Sequence, residues 1–195
     1  YGGNKANIKP GYIRYVDVNH DGEINSKDRV ILGNSTPRYE YSFTLGGQWK
    51  GIDLSLFFQG VGKRDLYYSG AGARPLVQNS TIFKSQLDTW SPENPDAEYP
   101  LLLVDAGSTN MNNIVSSFWI KSGAYLRLKN LTVGYTLPKK WTNRVSIDNL
   151  RLYFTASNLF TINNGYKGYD PETGVTSGAM YPVMKTFNFG INLDF

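Results

Sequence analysis

The feature that most restricts this chain is a strict two-residue alternation of apolar and polar side chains, repeated in separate extended stretches. From Tyr39, the residues Tyr41, Phe43, Leu45, Gly47 and Trp49 share one parity, and Glu40, Ser42, Thr44, Gly46 and Gln48 share the other. A strand turns successive side chains to opposite faces, so the pattern builds one greasy and one polar face. Lys50 and Gly51 supply a tight reversal, after which Ile52, Leu54, Leu56 and Phe58 alternate with Asp53, Ser55, Phe57 and Gln59. Between Phe118 and Leu137 the apolar parity slips. Leu126 and Leu128 fall on one side, and Leu131, Val133, Tyr135 and Leu137 on the other, which a β-bulge near Lys129 and Asn130 reconciles. Leu150, Leu152, Phe154 and Ala156 form a fourth stretch that runs to about Phe160, and Phe187, Phe189, Ile191, Leu193 and Phe195 form a fifth.

The punctuation divides the chain into a loop at 1–38, a hairpin at 39–60, a loop at 61–117, a hairpin at 118–160, a loop at 161–182 and a final strand at 183–195. A short strand is expected at Ile13 to Val16, and a helix near Thr81 to Trp90 with Ser80 as its N-cap. The segment from Gly60 to Ser117, which holds Pro75, Pro92, Pro95 and Pro100, is far longer than a hairpin connection needs; loops of that length usually carry function.

Composition narrows the chemistry. With no Cys and His20 as the only histidine, Cys-His nucleophiles and multi-histidine zinc sites are excluded, and the expectation is a protein that is not an enzyme. The net charge of +4 is spread out rather than gathered in runs, so nucleic acid is not an expected partner. No apolar run approaches the roughly 18 to 20 residues of a membrane helix, whereas a tilted barrel strand crosses with about 10 alternating residues.

Alternation alone does not separate a membrane barrel from a soluble β-sandwich. The connections do. Lys50-Gly51 and Pro138 to Asn149 are compact, and Gly60 to Ser117 and Thr161 to Pro182 are long; outer-membrane barrels have this asymmetry of short periplasmic turns and long extracellular loops. Trp49, Trp119, Tyr125, Tyr135 and Trp141 fall near strand ends, where an interfacial girdle belongs. The expected fold is therefore all-β, about five antiparallel strands of a larger barrel whose remaining strands lie N-terminal to Tyr1, since about eight strands are the minimum for closure. The competing expectation is a soluble calcium-binding β-sandwich module that binds carbohydrate.

Asp17, Asn19, Asp21, Gly22, Glu23 and Asp28 follow the spacing of an EF-hand-like loop. Such a loop places oxygen side chains at positions 1, 3 and 5, Gly at 6, a backbone carbonyl at 7 and a carboxylate at 12. A structural Ca²⁺ is the expected cofactor, although Asp28 stands where Glu is usual. Tyr166, Tyr169, Asp170 and Glu172 lie in a long loop, where aromatic and acidic groups suit contact with a substrate or a partner.

The run Tyr15-Val16-Asp17-Val18-Asn19-His20-Asp21-Gly22-Glu23-Ile24-Asn25 resembles the SusC/RagA family of TonB-dependent outer-membrane transporters, in the C-terminal part of their barrels. So do Trp49 to Gly60, Tyr125 to Tyr135, Asn158-Leu159-Phe160, Gly168-Tyr169-Asp170-Pro171-Glu172 and Phe187 to Phe195, in the family's order over nearly the whole chain. The resemblance implies a 22-stranded barrel with an N-terminal plug in the outer membrane of a Gram-negative bacterium. It also implies a SusD-like surface lipoprotein as a lid, import of oligosaccharide or peptide driven by the TonB complex through a part that precedes Tyr1, and contact with outer-membrane lipid. Phe187, Phe189, Ile191, Leu193 and Phe195 look like the signal by which barrel-assembly machinery selects its clients.

Overall fold

The computed structural model describes residues 8–70, 72–76, 81–104, 111–142, 146–163, 165, 169–173 and 181–195. Its strands are β1 (Tyr39–Trp49), β2 (Ile52–Gly62), β3 (Asp65–Tyr67), β4 (Ile120–Ser122), β5 (Tyr125–Thr136), β6 (Asn149–Asn163) and β7 (Thr186–Asp194), with one short helix, α1 (Lys139–Thr142). Five of them make a single sheet in the order β1-β2-β5-β6-β7, and β3 and β4 make a small sheet of their own. All neighbours in the large sheet are antiparallel.

Register turns the alternation into continuous rows. Phe43 pairs with Phe58, which pairs with Leu128, which pairs with Phe160. A second row runs Leu45, Leu56, Leu131, Ala156 and Phe187, and a third Trp49, Ile52, Tyr135, Leu152 and Ile191. Cross-strand neighbours on one face stabilise the sheet, and stacked rings such as Phe43 and Phe58, with centroids 4.9 Å apart, add about 0.5–1.5 kcal/mol each. The opposite face carries rows such as Gly46, Ser55, Thr132, Thr155 and Asn188. The apolar face is nevertheless open: Leu45 is 55% exposed, Ile191 62%, Trp49 68% and Phe189 84%. A sandwich would bury these side chains in a dry interlayer core; among the described residues no second layer covers them.

The reversal at Lys50 (φ 48°) and Gly51 (φ 86°) puts both central residues in the left-handed region, as a two-residue I′ hairpin turn requires. Adjacent Phe57 and Phe58 of β2 pair with Asn130 and Leu128, so against β2 the bulge falls at Lys129, where parity demanded it. Opposite it, Asn158 takes φ 53°, a conformation that Asn tolerates better than most residues, and its Nδ2 donates to the Met184 carbonyl at 3.1 Å.

Four expectations are corrected. Ile13 to Val16 is not a strand: its contacts run through side chains, the Ile13 N–H donating to Asn112 Oδ1 at 2.9 Å and Tyr15 Oη to the Met111 carbonyl. The helix near Thr81 to Trp90 shrinks to a 3₁₀ turn at Lys84–Gln86, because the amides that follow bond elsewhere, Trp90 N–H to the Tyr99 carbonyl at 2.9 Å; its supposed cap Ser80 lies outside the described residues. The stretch from Phe118 to Leu137 is not one strand, since Gly123 and Ala124 separate β4 from β5. Trp119 and Tyr125 do not belong to an interfacial girdle, being 1% and 5% exposed, whereas Trp49, Tyr135 and Trp141 are exposed at the opposite end of the sheet.

Candidate functional site

Every long connection leaves the same end of the sheet, the end marked by the paired residues Tyr39 and Gly62 and by Tyr125 and Asn163. There the loops pack on one another. Leu66, Tyr68, Ala73, Tyr99 and Trp119 form a buried cluster, against which Ile13, Tyr67, Phe118 and Tyr169 pack. Burial, with Glu98 nearby, pushes the Tyr99 hydroxyl up to about 12.

Asn112 ties three loop segments together. Its Oδ1 accepts from Ile13 N–H, its Nδ2 donates to the Leu101 carbonyl at 3.0 Å, and its own carbonyl accepts from Trp119 Nε1 at 2.8 Å. Gln86, fully buried, accepts from Phe83 N–H at 3.0 Å and donates to the Gly72 carbonyl at 2.9 Å. Between these loops lies a cleft of about 1040 Å³, lined among others by Tyr12, Arg14, Arg29, Trp90, Glu98 and Phe118.

Beneath the loops, the polar face carries a charge cluster centred on Arg127 of β5, which is 3% exposed. Its Nη2 donates to both Asp170 oxygens at 2.7 Å, its Nη1 to Glu172, and its Nε to Thr161 Oγ1 at 2.7 Å. Lys129 Nζ reaches Glu172 at 2.7 Å, and Arg64 Nη1 donates to the Pro171 carbonyl at 3.2 Å. A buried guanidinium is tolerable only when its donors are satisfied, and here two carboxylates and a hydroxyl do so. Asp170 and Glu172 are thus bound to the wall. Tyr169 packs edge-on against Tyr68 at 5.0 Å, and burial raises its hydroxyl above the usual range. Tyr166 lies outside the described residues.

Sequence reasoning missed Arg127, Lys129, Arg64, Asn112 and Gln86. Only Arg127 had a signal: a lone guanidinium at a polar-parity position near the loop end of a face otherwise rich in Ser, Thr and Asn.

The residues with calcium-like spacing form a tight exposed turn. Gly22 N–H donates to Asp17 Oδ2 at 2.8 Å, Asp21 N–H to Asn19 Oδ1 at 3.0 Å, and Glu23 N–H to Asp21 Oδ1 at 3.0 Å. Asp28 accepts from Asn25 N–H at 2.7 Å and Val18 N–H at 2.9 Å, and these backbone bonds, Asn25 foremost, hold its carboxyl below the usual carboxylate range. Asp17 Oδ1 is buried with no hydrogen-bond partner. Among the described residues, no group of three or more His, Cys, Asp or Glu side chains is disposed to hold a metal. On β7, Phe187, Phe189, Ile191 and Leu193 lie on the exposed apolar face, and Phe195 is 86% exposed.

Two outcomes follow from this geometry. Arg127→Met strips the salt bridge from Asp170 and leaves Glu172 to Lys129 alone, so it is expected to cost about 3–5 kcal/mol; faster limited proteolysis around Pro171, with β circular dichroism retained, is the readout. For Asp28, a folded pKa below the unfolded one means that its stabilising contribution is present above the unfolded value and lost as pH falls through the folded value. A carboxyl NMR titration is expected to place the Asp28 midpoint below that of an unstructured peptide spanning residues 17–28.

No family model matches the chain. A TonB-dependent receptor P3 of Formosa agariphila is 33% identical over 205 residues, covering 95% of this chain and 19% of the relative. The TonB-dependent receptor SusC of Bacteroides thetaiotaomicron is 29% identical over 192 residues, covering 97% of this chain and 18% of the relative. Among solved structures, the RagAB peptide importer in its open-open state superposes with a TM-score of 0.67 at 27% identity, covering 94% of this chain and 20% of that one. The chain thus spans about a fifth of the length of the proteins it matches. In sequence and in fold, it is a SusC/RagA-like segment of a TonB-dependent receptor.

Proposed function

We propose that the sheet is a stretch of barrel wall in the outer membrane of a Gram-negative bacterium, and that its loops are the extracellular rim of an importer for glycans or peptides. The observation that carries this is the uncovered apolar face, backed by a polar face and by loops gathered at one end. Water penalises such a face, and acyl chains do not. A SusD-like lipoprotein as lid over the loops and the TonB complex as energy source, acting through a part of the protein that precedes this chain, complete the reading. The role is transport rather than catalysis. A soluble carbohydrate-binding sandwich is disfavoured by the same exposed face.

The test is a matched pair in the full-length protein. Leu45→Arg, mid-strand on the apolar face, is expected to lower barrel stability by about 2–4 kcal/mol, as a charge at the bilayer midplane does. Thr44→Arg, one residue away on the polar face, is expected to cost far less. Urea unfolding from vesicles reads both, and equal penalties refute the membrane assignment.

We further propose that the loop 17–28 takes up Ca²⁺, which would stiffen the rim. The unpartnered, buried Asp17 Oδ1 supports this, as does a donor set of hard oxygens from Asp17, Asn19, Asp21, the Glu23 carbonyl and Asp28, the chemistry that calcium prefers. Asp28 would have to exchange amide partners for the ion. Titration calorimetry with calcium is expected to give heat for the native protein and none for an Asp17→Ala, Asp21→Ala variant; equal heats refute the site.

A further inference from the structure

The short-turn end of the apolar face holds a feature that the transport reading does not use. Two shallow apolar grooves meet at the tip of the β1–β2 hairpin. One, of about 980 Å³, runs across β2, β5, β6 and β7 between Ile52, Tyr135, Leu152, Phe189 and Ile191, with Lys50 at its rim. The other, of about 460 Å³, lies where Gly47 interrupts the row of side chains between Leu45, Trp49 and Leu54. A Cβ built on Gly47 meets nothing within 4 Å, so the notch is open space.

Three lysines gather at this end. Lys50 Nζ sits 4.7 Å from the centroid of the exposed Trp49 ring, which places the ammonium on the apolar side of the hairpin. Lys139 and Lys140 are exposed in the next connection, which adjoins the hairpin because Thr136 N–H donates to the Gly51 carbonyl at 2.8 Å. Trp141, exposed, follows them. Two of the nearby carboxylates have partners of their own. Asp53 is held by Arg151 on the polar face, and Asp194 accepts from Asn149 Nδ2 at 3.0 Å. Asp148 is the one acidic residue among the described residues of the two short connections.

We propose that this corner binds one anionic glycerophospholipid of the periplasmic leaflet, its two acyl chains in the two grooves and its phosphate against Lys50, with Lys139 and Lys140 reinforcing the headgroup contact. Lysine at a membrane interface keeps its ammonium at headgroup level while its stem lies along apolar surface, and Trp rings favour the same depth. The paired grooves fit the two chains of a diacyl lipid, and the cations select an anionic headgroup over a zwitterionic one. The inference rests on the barrel reading above.

Native mass spectrometry of the full-length protein, released from vesicles of mixed phosphatidylglycerol and phosphatidylcholine into neutral detergent, tests it. Preferential retention of phosphatidylglycerol is expected. Lys50→Gln should weaken it about fivefold, Lys50→Arg should preserve it, and Gly47→Leu, which fills the notch without changing charge, should reduce retention of both lipids. Equal retention of the two lipids by the inserted native protein, or unchanged phosphatidylglycerol retention in a Lys50→Gln, Lys139→Gln, Lys140→Gln variant, overturns the site. So does a lipid-free dimer that these variants dissociate, which would assign the grooves to a second copy. Failure of the native protein to insert into the vesicles overturns the barrel reading itself.

Discussion

Ladder register brings the apolar residues of five strands onto one face, and among the described residues nothing covers that face. Backbone groups between paired strands are satisfied by the ladder, while rings and branched side chains from Phe43 to Phe189 stand outward. Two features elsewhere in the molecule accommodate that face. The polar rows line the opposite side, and the loops gather at one end, clear of it. A bulge at Lys129 keeps Leu126 and Leu128 in phase with Leu131 and Val133, and Lys129 itself pairs with Glu172 on the polar side. One inserted residue therefore serves both the apolar face and the anchoring of a loop.

The fold was largely legible because period-two alternation is a local signal. Parity alone located the turn at Lys50-Gly51, the bulge, and the arms of both hairpins. The errors fall where structure depends on distant partners. Ile13 to Val16 has strand-like composition yet is fixed by Asn112, 99 positions away from Ile13, and Thr81 to Trp90 loses its helix where the Trp90 amide bonds to the distant Tyr99 carbonyl. β3 and β4 are three residues each and pair across a long interval, too little pattern for a sequence reading to find.

The site was less legible, for a related reason. Tyr169, Asp170 and Glu172 stood out as loop residues suited to contact with a ligand; in the structure Asp170 and Glu172 meet Arg127 of the wall, and Tyr169 packs on Tyr68 among the loops. Asp170 and Glu172 gain their meaning only from Arg127, some 43 to 45 positions earlier, and no local spacing announces that pairing. The rim of the structure is accordingly a packed assembly with a cleft inside it, rather than a set of free loops. Trp119 and Tyr125, aromatics near strand ends, were drawn into that assembly instead of an interfacial belt.

The ion pair between Asp53 of β2 and Arg151 of β6 joins two strands that are not neighbours in the ladder. Its contacts of 2.9 Å and 2.6 Å pass over Gly134 of β5, the one residue type whose lack of a Cβ leaves room for them. Such a strut ties β2 to β6 across β5, so a register slip of either flanking strand has to break it. That stitch binds three strands together at the short-turn end of the sheet.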